Sequence, residues 1–418
     1  MGEQSNETNV NPALTDDLIE DLEKIKGDAI GNTLYSERWV LKTLMQISQF
    51  SGNEWNDEFE SNLCSLWDMT LEKDVVNLLM KHDIITIISR VIELCSTSNN
   101  RLTVSRPFIE KALGLKFGGR ELSEYQVFHK DMSELSQREE TITNILLLFD
   151  SPDAPVLIQL IRLVHATAWD LLKEKDNVPS WLENELISFR LCNYITFILK
   201  SSTNDELLYG TLEFLNTLCS VTINDKDFSQ YFATSDLVKG MLESWGQLFS
   251  NWSSEDGFLN KHQKKIAEHW SAVLSSFTGH VNGRAALCEN YENIGEIIYK
   301  IVQQPFESAD IILISAVNIL DSLVRVYFSR SSLKRLLIIL NSLYQNAGET
   351  SADDSPLNSE NLDVILQDCI ENYCANVNTV VEHSLLNEAL SECCENHVLL
   401  FWKAVNDRQT DDPGERVI

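Results

Sequence analysis

Residues 157–164, Leu-Ile-Gln-Leu-Ile-Arg-Leu-Val, and residues 207–214, Leu-Leu-Tyr-Gly-Thr-Leu-Glu-Phe, form an apolar pattern that occurs twice, 50 residues apart. In the second stretch Leu208, Leu212, Leu215 and Cys219 are spaced so that they share one face of a helix. A single pair of such helices cannot bury this face, so neighbouring pairs must stack on it. The sequence therefore predicts an all-α fold, an armadillo-like helical-repeat solenoid.

Capping signals and further apolar segments extend this prediction along the chain. Ser36 and the Ser151-Pro152 pair are expected to start helices, and Thr203 with Glu206 is expected to form a capping box. The pattern of residues 214–218 returns at 273–277, and Ser315 matches Gly210. Later helices are predicted at 237–249, 266–277, 294–302, 311–327, 333–343, 362–375 and 385–405.

Composition divides the chain into a long helical domain with polar ends. Residues 1–26 are acidic and are predicted to be mostly disordered, and residues 27–405 are predicted to form the armadillo-like domain. Residues 104–128 are an atypical insertion within it, and residues 346–360 are predicted to be a mobile loop. Residues 406–418 are predicted to be a disordered tail.

The charge balance limits the partners that the chain can attract. The sequence has 63 acidic and 33 basic residues, which gives a formal net charge of −30. Such a charge repels phosphate backbones and anionic lipid surfaces, so we expect neither nucleic acid nor membrane as a partner. No apolar run approaches the roughly 20 residues that span a bilayer. Protein partners that present basic segments are favoured instead.

The nine cysteines indicate a reducing, intracellular compartment, because they lie mostly in apolar helical stretches without disulfide-like spacing. A metal site is an alternative near the C-terminus, but the spacings there are not those of structural zinc ligands. Buried small side chains are the favoured interpretation, and no metal or cofactor is expected. The residues concerned are Cys369, Cys374, His383, Cys393, Cys394 and His397.

The sequence contains no recognisable catalytic motif. Gly114 and Gly119 have the glycine spacing of a phosphate-binding loop, but Arg120-Glu121 replaces the Lys-Ser/Thr that would contact phosphate and magnesium. The sequence therefore predicts a non-catalytic protein. The alternative is an enzyme with an unrecognised active site on a helical scaffold, which would need a deep pocket with converging polar groups.

Two blocks near the N-terminus resemble the serum amyloid A-like protein (SAAL) family. They are Gly27-Asp28-x-Ile30-Gly31-x-Thr33-x-Tyr35-Ser36-x-x-Trp39, and Leu66-Trp67-Asp68-Met69 followed by Asp74-Val75. The resemblance is strong over residues 27–95, continues as a helical pattern to about residue 340 and is faint beyond. It implies an armadillo-like fold without catalytic residues. It also implies a nuclear or nucleocytoplasmic protein that promotes cell proliferation.

Residues 104–128 depart from the family pattern, since a proline and three glycines replace the expected apolar inner helix. We interpret this segment as either a retained intron or a lineage-specific loop. Transcript sequencing distinguishes the two, because a retained intron would be missing from some messages.

The predicted function is an intracellular protein-interaction scaffold. In solenoids the last helix of each unit lines an extended concave surface. On that basis the predicted partner-binding residues are Arg162, Glu213, Asn216, Asn318, Asp321 and Arg325, with ordinary solvated positions as the alternative. The family-motif residues are predicted to be structural, anchoring an N-terminal cap: Gly27, Asp28, Gly31, Tyr35, Ser36, Trp39, Trp67, Asp68 and Met69. The sequence does not predict an oligomeric state.

Overall fold

The computed structural model describes residues 28–50, 56–70, 72–84, 86–88, 90–91, 139–173, 184–223, 226–250, 259–304, 311–347 and 359–410. The chain divides into two compact units, Met1–Leu148 and Phe149–Ile418, which are described separately. The predicted segments 1–26 and 104–128 lie outside the described residues.

Unit 1 is helical in its described part. Its helices are α1 (Glu37–Gln49), α2 (Asp57–Met69), α3 (Lys73–Lys81) and α4 (Glu139–Leu148). The ring of Phe50, which follows α1, stacks on Phe59 of α2 with ring centroids 5.4 Å apart. This aromatic pair helps to hold α1 against α2.

Unit 2 is a long succession of helices. They are α5 (Ala154–Lys173), α6 (Glu185–Ser201), α7 (Asp205–Cys219), α8 (Ser235–Leu248), α9 (Lys261–Phe277), α10 (Val281–Glu289), α11 (Tyr291–Val302), α12 (Ile311–Leu323), α13 (Arg330–Ala347), α14 (Ser359–Val380), α15 (His383–Ser391) and α16 (Glu395–Thr410). A short antiparallel pair, β1 (Thr222–Ile223) and β2 (Lys226–Asp227), and a 3-10 turn connect α7 to α8.

The helices of unit 2 pack in two layers. Helices α5, α7, α9, α12 and α14 lie side by side in chain order and form the front layer. Helices α6, α8, α10, α11, α13 and α15 form the back layer, and α16 packs on α14 and α13. Each helix thus contacts neighbours close in sequence, which is the packing of a helical-repeat solenoid. The predicted all-α, helical-repeat fold class is confirmed.

The apolar face predicted for α7 is buried. Leu208, Leu212 and Leu215 are fully buried and Cys219 is nearly so. The indole of Trp270 joins the two layers. It lies on α9 in the front layer, is inaccessible to solvent, and donates to the carbonyl of Met241 on α8 in the back layer at 2.9 Å. A buried indole N–H needs such a partner, because an unpaired donor would be costly.

The structure confirms the repeat between α5 and α7, but equivalent positions are 51 residues apart and not the predicted 50. The buried and half-buried positions of the two helices coincide at an offset of 51, which pairs Arg162 with Glu213 and His165 with Asn216. An apolar pattern alone could not fix this register, because both segments are apolar on most of their positions. The offsets predicted from 273–277 and from Ser315 agree with the burial pattern.

Of two predicted helix caps, the structure confirms the one that starts α1 and corrects the one that starts α7. Ser36 caps α1, with its Oγ accepting from the amide of Trp39 at 3.1 Å, as predicted. The cap of α7 is Asn204, whose side chain accepts from the amide of Leu207, so the predicted Thr203 capping box is wrong. Asparagine serves equally well at this position, and it lies one residue later.

Several predicted boundaries near the C-terminus are also wrong. The predicted helix 385–405 is two helices, α15 and α16, and α16 continues to Thr410, so residues 406–410 are not a loose tail. The predicted loop 346–360 is helical at both ends, in α13 and α14, and its centre lies outside the described residues. Helix α10 was not predicted. The apolar residues in its sequence, Val-Asn-Gly-Arg-Ala-Ala-Leu-Cys-Glu, have too weak a helical periodicity to predict a helix.

Candidate partner-binding face

The solvent-facing side of the front layer carries a polar stripe on each helix. The burial pattern aligns these stripes, so that Arg162, Glu213 and Asn318 occupy one equivalent position on α5, α7 and α12. Asn216 and Asp321 occupy the equivalent position one turn later on α7 and α12. Five of the six residues predicted to bind partners therefore lie at two repeated positions. We call this surface the front face.

Two contacts connect α5 to α7 on the front face. The guanidinium of Arg162 donates to the Glu206 carboxylate at 2.6 Å, and both side chains are about half exposed. One turn along, His165 Nε2 lies 2.8 Å from Thr217 Oγ1, and the imidazole packs against the ring of Phe214 at 6.0 Å. His165 thus has both a polar partner and an apolar neighbour.

Helix α7 meets α9 through one amide, one phenol and two imidazoles. Asn216 Nδ2 lies 3.1 Å from His269 Nδ1. The ring of Tyr209 lies 5.3 Å from that of His262 and 5.8 Å from that of His269. Sequence analysis identified Asn216 but missed the three aromatic rings. The spacing of His262 and His269, seven residues apart, was the available signal, because it places both on one face of α9.

Helices α9, α12 and α14 continue the same seam. Asn318 donates to Ser275 Oγ at 3.5 Å and accepts from the thiol of Cys369 at 3.4 Å. The amide of Asn376 donates to Asp321 Oδ1 at 2.5 Å. Both predicted residues on α12 therefore bridge neighbouring helices. Arg325, the sixth predicted residue, is exposed in the turn that follows α12.

Burial shifts the pKa values of two histidines and one glutamate where α5, α7 and α9 meet. Desolvation lowers the pKa of His165 to about 4 and that of His269 to about 4, so both imidazoles are neutral at pH 7. Desolvation raises the pKa of the Glu213 carboxyl, against the opposing effects of Lys265 and Arg162. This part of the front face therefore combines neutral rings with a carboxylate whose hydration is incomplete.

A serine, a histidine and an aspartate also meet outside the front face. Ser229 Oγ lies 2.6 Å from His280 Nε2, and the same nitrogen lies 3.2 Å from Asp227 Oδ2. In a catalytic triad the serine and the carboxylate use different ring nitrogens. Here they share one nitrogen, and Ser229 is fully buried. This arrangement ties the α7–α8 connection to the start of α10 and does not fit nucleophilic catalysis.

The residues of the N-terminal motif meet around the start of α1. Asp28 accepts from the Ser36 hydroxyl and, at 3.0 Å, from the amide of Arg38. Gly31 has a φ of +55° and lies against Asp74, whose carboxylate accepts from the amide of Asn32 at 3.0 Å. The two motif blocks are therefore joined in space.

The other motif residues differ in exposure. Tyr35, Trp39 and Met69 are half-buried, and Asp68 is exposed. Gly27 and the side chain of Trp67 lie outside what the structure describes, so their predicted anchoring role stays a prediction.

Among the residues that the structure describes, no group of three or more His, Cys, Asp or Glu side chains is arranged to hold a metal ion. None of the described helices is both long and apolar enough to cross a membrane.

Comparison with known proteins places a family match in unit 2. A family model described as the SAAL1 C-terminal domain matches residues 191–405. The chain is 32% identical over 220 residues to the protein saal1 of Danio rerio, which covers 50% of this chain and 43% of that protein. It is 27% identical over 208 residues to the protein SAAL1 of Homo sapiens, covering 46% and 40%. The match thus spans less than half the length of these relatives.

Proposed function

The chain belongs to the SAAL1 family, and on this premise we propose that it is a non-catalytic scaffold that holds protein partners on the front face. The family that the sequence resembles agrees with the match over residues 191–405, which extends beyond residue 340 and does not include the two N-terminal blocks. The match includes α7, α9, α12 and α14, which carry most of the front face.

The observation that carries the proposal is the repeated polar stripe. Polar side chains at equivalent positions of successive helices give a long, regular surface, which suits an extended protein partner better than a small molecule. The side chains bridge neighbouring helices, as Asn216 and Asp321 do, and are therefore held in fixed positions. Fixed polar groups bind with a smaller loss of side-chain entropy.

The kind of partner follows from charge. A chain with a net charge of −30 attracts proteins that present basic segments, and salt weakens such contacts by screening. By the same physics, nucleic acid and anionic membranes are excluded from the proposal. The family resemblance adds a nuclear or nucleocytoplasmic location and a link to cell proliferation, both of which we carry forward as part of the proposal.

Affinity capture from cell extract tests the proposal. The intact chain is compared with a variant in which Arg162→Glu, Asn216→Lys, Asn318→Lys and Arg325→Glu are combined. We expect the variant to lose a specific set of partners while keeping its helical content. A control with one charge reversal on the back layer, Arg190→Glu, changes the net charge by the same two units and should keep them.

Equal capture by all three proteins would contradict the front-face proposal. The alternative, an enzyme on a helical scaffold, would be favoured by turnover of a small molecule that a single point change abolishes.

A further inference from the structure

One part of the front face combines aromatic rings with an incompletely compensated carboxylate. On α7, Tyr209 and Glu213 are one turn apart. On α9, His262 and His269 each lie within 6 Å of the Tyr209 ring, at 5.3 and 5.8 Å between centroids. We call these four residues the α7–α9 cluster. The two stripes face each other because α7 and α9 pack side by side.

Glu213 is the feature of the cluster that most needs a partner. The residue is half-buried, and its carboxylate lies 4.0 Å from His165 Nδ1. That imidazole is held neutral by its own burial. Among the described residues, no lysine or arginine nitrogen forms an ion pair with Glu213 within 4.0 Å. Partial burial raises the pKa of the Glu213 carboxyl, which is the signature of lost hydration without full compensation.

The rings beside Glu213 favour a cation as that partner. The face of a tyrosine ring attracts ammonium and guanidinium groups, most strongly where water is partly excluded. His269 is neutral at pH 7, since burial lowers its pKa to about 4, and therefore does not repel a cation. Burial and the nearby carboxylates of Glu213 and Glu268 also raise the pKa of Tyr209, so its hydroxyl stays neutral.

We propose that the α7–α9 cluster receives one lysine or arginine side chain from an extended segment of a protein partner. The cation would pair with Glu213 and lie against the Tyr209 ring, and the partner's main chain would continue along the polar stripe towards Asn318 and Asp321. This inference rests on the proposed scaffold function and assigns its partner a specific chemistry. Charge complementarity supports it, because the whole chain is strongly acidic.

Lys265 provides an internal comparison for this site. It lies on α9 between His262 and His269, and its charge opposes the rise in the Glu213 pKa without forming an ion pair within 4.0 Å. Lys265 thus partly supplies the charge that a partner's cation would supply fully. Removing it should make the cluster a better cation acceptor, whereas removing Glu213 should make it a worse one.

Fluorescence anisotropy with defined peptides tests the proposal on the full chain. The probe is a labelled peptide of glycine and serine residues with regularly spaced lysines, and the comparison probe is the same peptide with every lysine acetylated. We expect the parent protein to bind only the lysine peptide. Glu213→Gln should weaken binding by about tenfold, as for the loss of one charge-assisted contact. Lys265→Gln should strengthen it about threefold by removing a competing charge.

The matched control is Glu243→Gln, an exposed carboxylate on α8 in the back layer that changes the net charge by the same amount. Its affinity should equal that of the parent. Equal weakening by Glu213→Gln and Glu243→Gln would show that the peptide responds only to total charge, and would overturn the proposal. Tyr209→Leu should weaken binding about threefold. Unchanged affinity in this variant would show that the Tyr209 ring does not contact the cation, and would overturn that part of the proposal. Matching thermal melts establish that each variant is folded.

A second experiment, partner capture from cell extract, tests the cation site and the scaffold function independently. In cell extract, Glu213→Gln should lose the same partners as the four-residue front-face variant. Retention of those partners by Glu213→Gln, together with their loss in the four-residue variant, would leave the scaffold function standing and refute the cation site. Retention by both proteins would refute the front face itself.

Discussion

The loop before α1 and the front face across α5, α7 and α9 use polar side chains in opposite ways. In the loop, backbone amides donate to the carboxylates of Asp28, in the loop itself, and of Asp74, on α3, and these bonds fix the path of the chain. On the front face, Asn216 and Arg162 bond to side chains of neighbouring helices. The backbone of a helix is already satisfied internally, so these polar groups are not needed to build it.

This difference separates structural from functional polar residues. A side chain that satisfies a backbone amide stabilises a local conformation, and its loss leaves an unpaired donor. A half-exposed bond between two side chains adds little to stability, because water replaces it readily. The first kind should affect folding when it is changed, and the second should mainly affect binding. Three predictions test this contrast.

At neutral pH, the largest effect on stability is expected in the loop, from Gly31→Ala. A Cβ at this position would lie 2.1 Å from Asp74 Oδ2, and the φ of +55° disfavours any residue with a Cβ. Displacing Asp74 would also leave the Asn32 amide unpaired. We expect a loss of about 3 kcal/mol in the stability of unit 1, measured by hydrogen exchange of the α1 amides in the full chain.

Gly246→Ala is the matched control, because nothing lies within 4 Å of the added carbon in α8. It should be neutral or stabilise the protein by up to about 1 kcal/mol. The double variant Gly31→Ala, Asp74→Ala should recover part of the loss, since it removes the two nearest overlapping atoms and leaves only the Cβ of residue 74, at 2.8 Å. Normal protection of α1 in Gly31→Ala would show that the loop is not fixed as described.

The second prediction concerns pH and the histidines of the front face. The pKa values of His165 and His269 are about 4 in the folded state and 6.5 ordinarily. The unfolded chain therefore binds more protons between these values, so stability falls as the pH decreases from 6.5 towards 4. We expect each histidine to remove about 2 kcal/mol from the stability of unit 2 by about pH 4.5, measured by denaturant unfolding.

The variant that carries His165→Gln and His269→Gln isolates this contribution. Glutamine keeps a hydrogen-bonding side chain but does not titrate, so the variant should lose less stability than the parent over the same pH range. Glu213 acts in the opposite direction, because a raised carboxyl pKa favours the folded state as the pH falls. Identical pH profiles for the parent and the variant would show that the two histidines are hydrated.

The smallest effect on stability is expected from Arg162→Met. The ion pair with Glu206 is short, at 2.6 Å, but both side chains are about half exposed. Such a pair contributes about 0.5 kcal/mol or less. Capture of partners should nevertheless change, because Arg162 lies at a repeated position of the front face. A loss of several kcal/mol on melting would instead assign Arg162 to the structural class, with Asp28.

Much of the fold was predictable, because helical periodicity is a local property. The spacing of Leu208, Leu212 and Leu215 predicts a buried helical face, and the structure buries all three. Ser36 predicts the start of α1, because a serine side chain can accept a hydrogen bond from a free amide of the first turn. The boundaries failed where this local signal was ambiguous, as at Asn204, which is as good a cap as the threonine before it.

The candidate site was predictable only in part. The polar positions on the last helix of each unit were found because they interrupt an apolar pattern, and five of the six lie at equivalent positions of the front face. Their partners were not found. Tyr209 has no distinguishing pattern of its own, and the seven-residue spacing of His262 and His269 does not by itself indicate a site. The one-residue error in the α5–α7 register would have paired Arg162 with buried Leu212.

The sequence by itself determined the helical class, the burial of the repeated apolar faces and, through the match over residues 191–405, the family. Each depends on residues close together in the chain or on letters that can be compared directly. Only the tertiary structure decided that Asn216 meets His269 and that His165 meets Thr217, contacts that join residues 53 and 52 positions apart. Such contacts depend on how far one helix is shifted and rotated against the next. That geometry is set by side-chain packing over the whole interface, which no local pattern encodes.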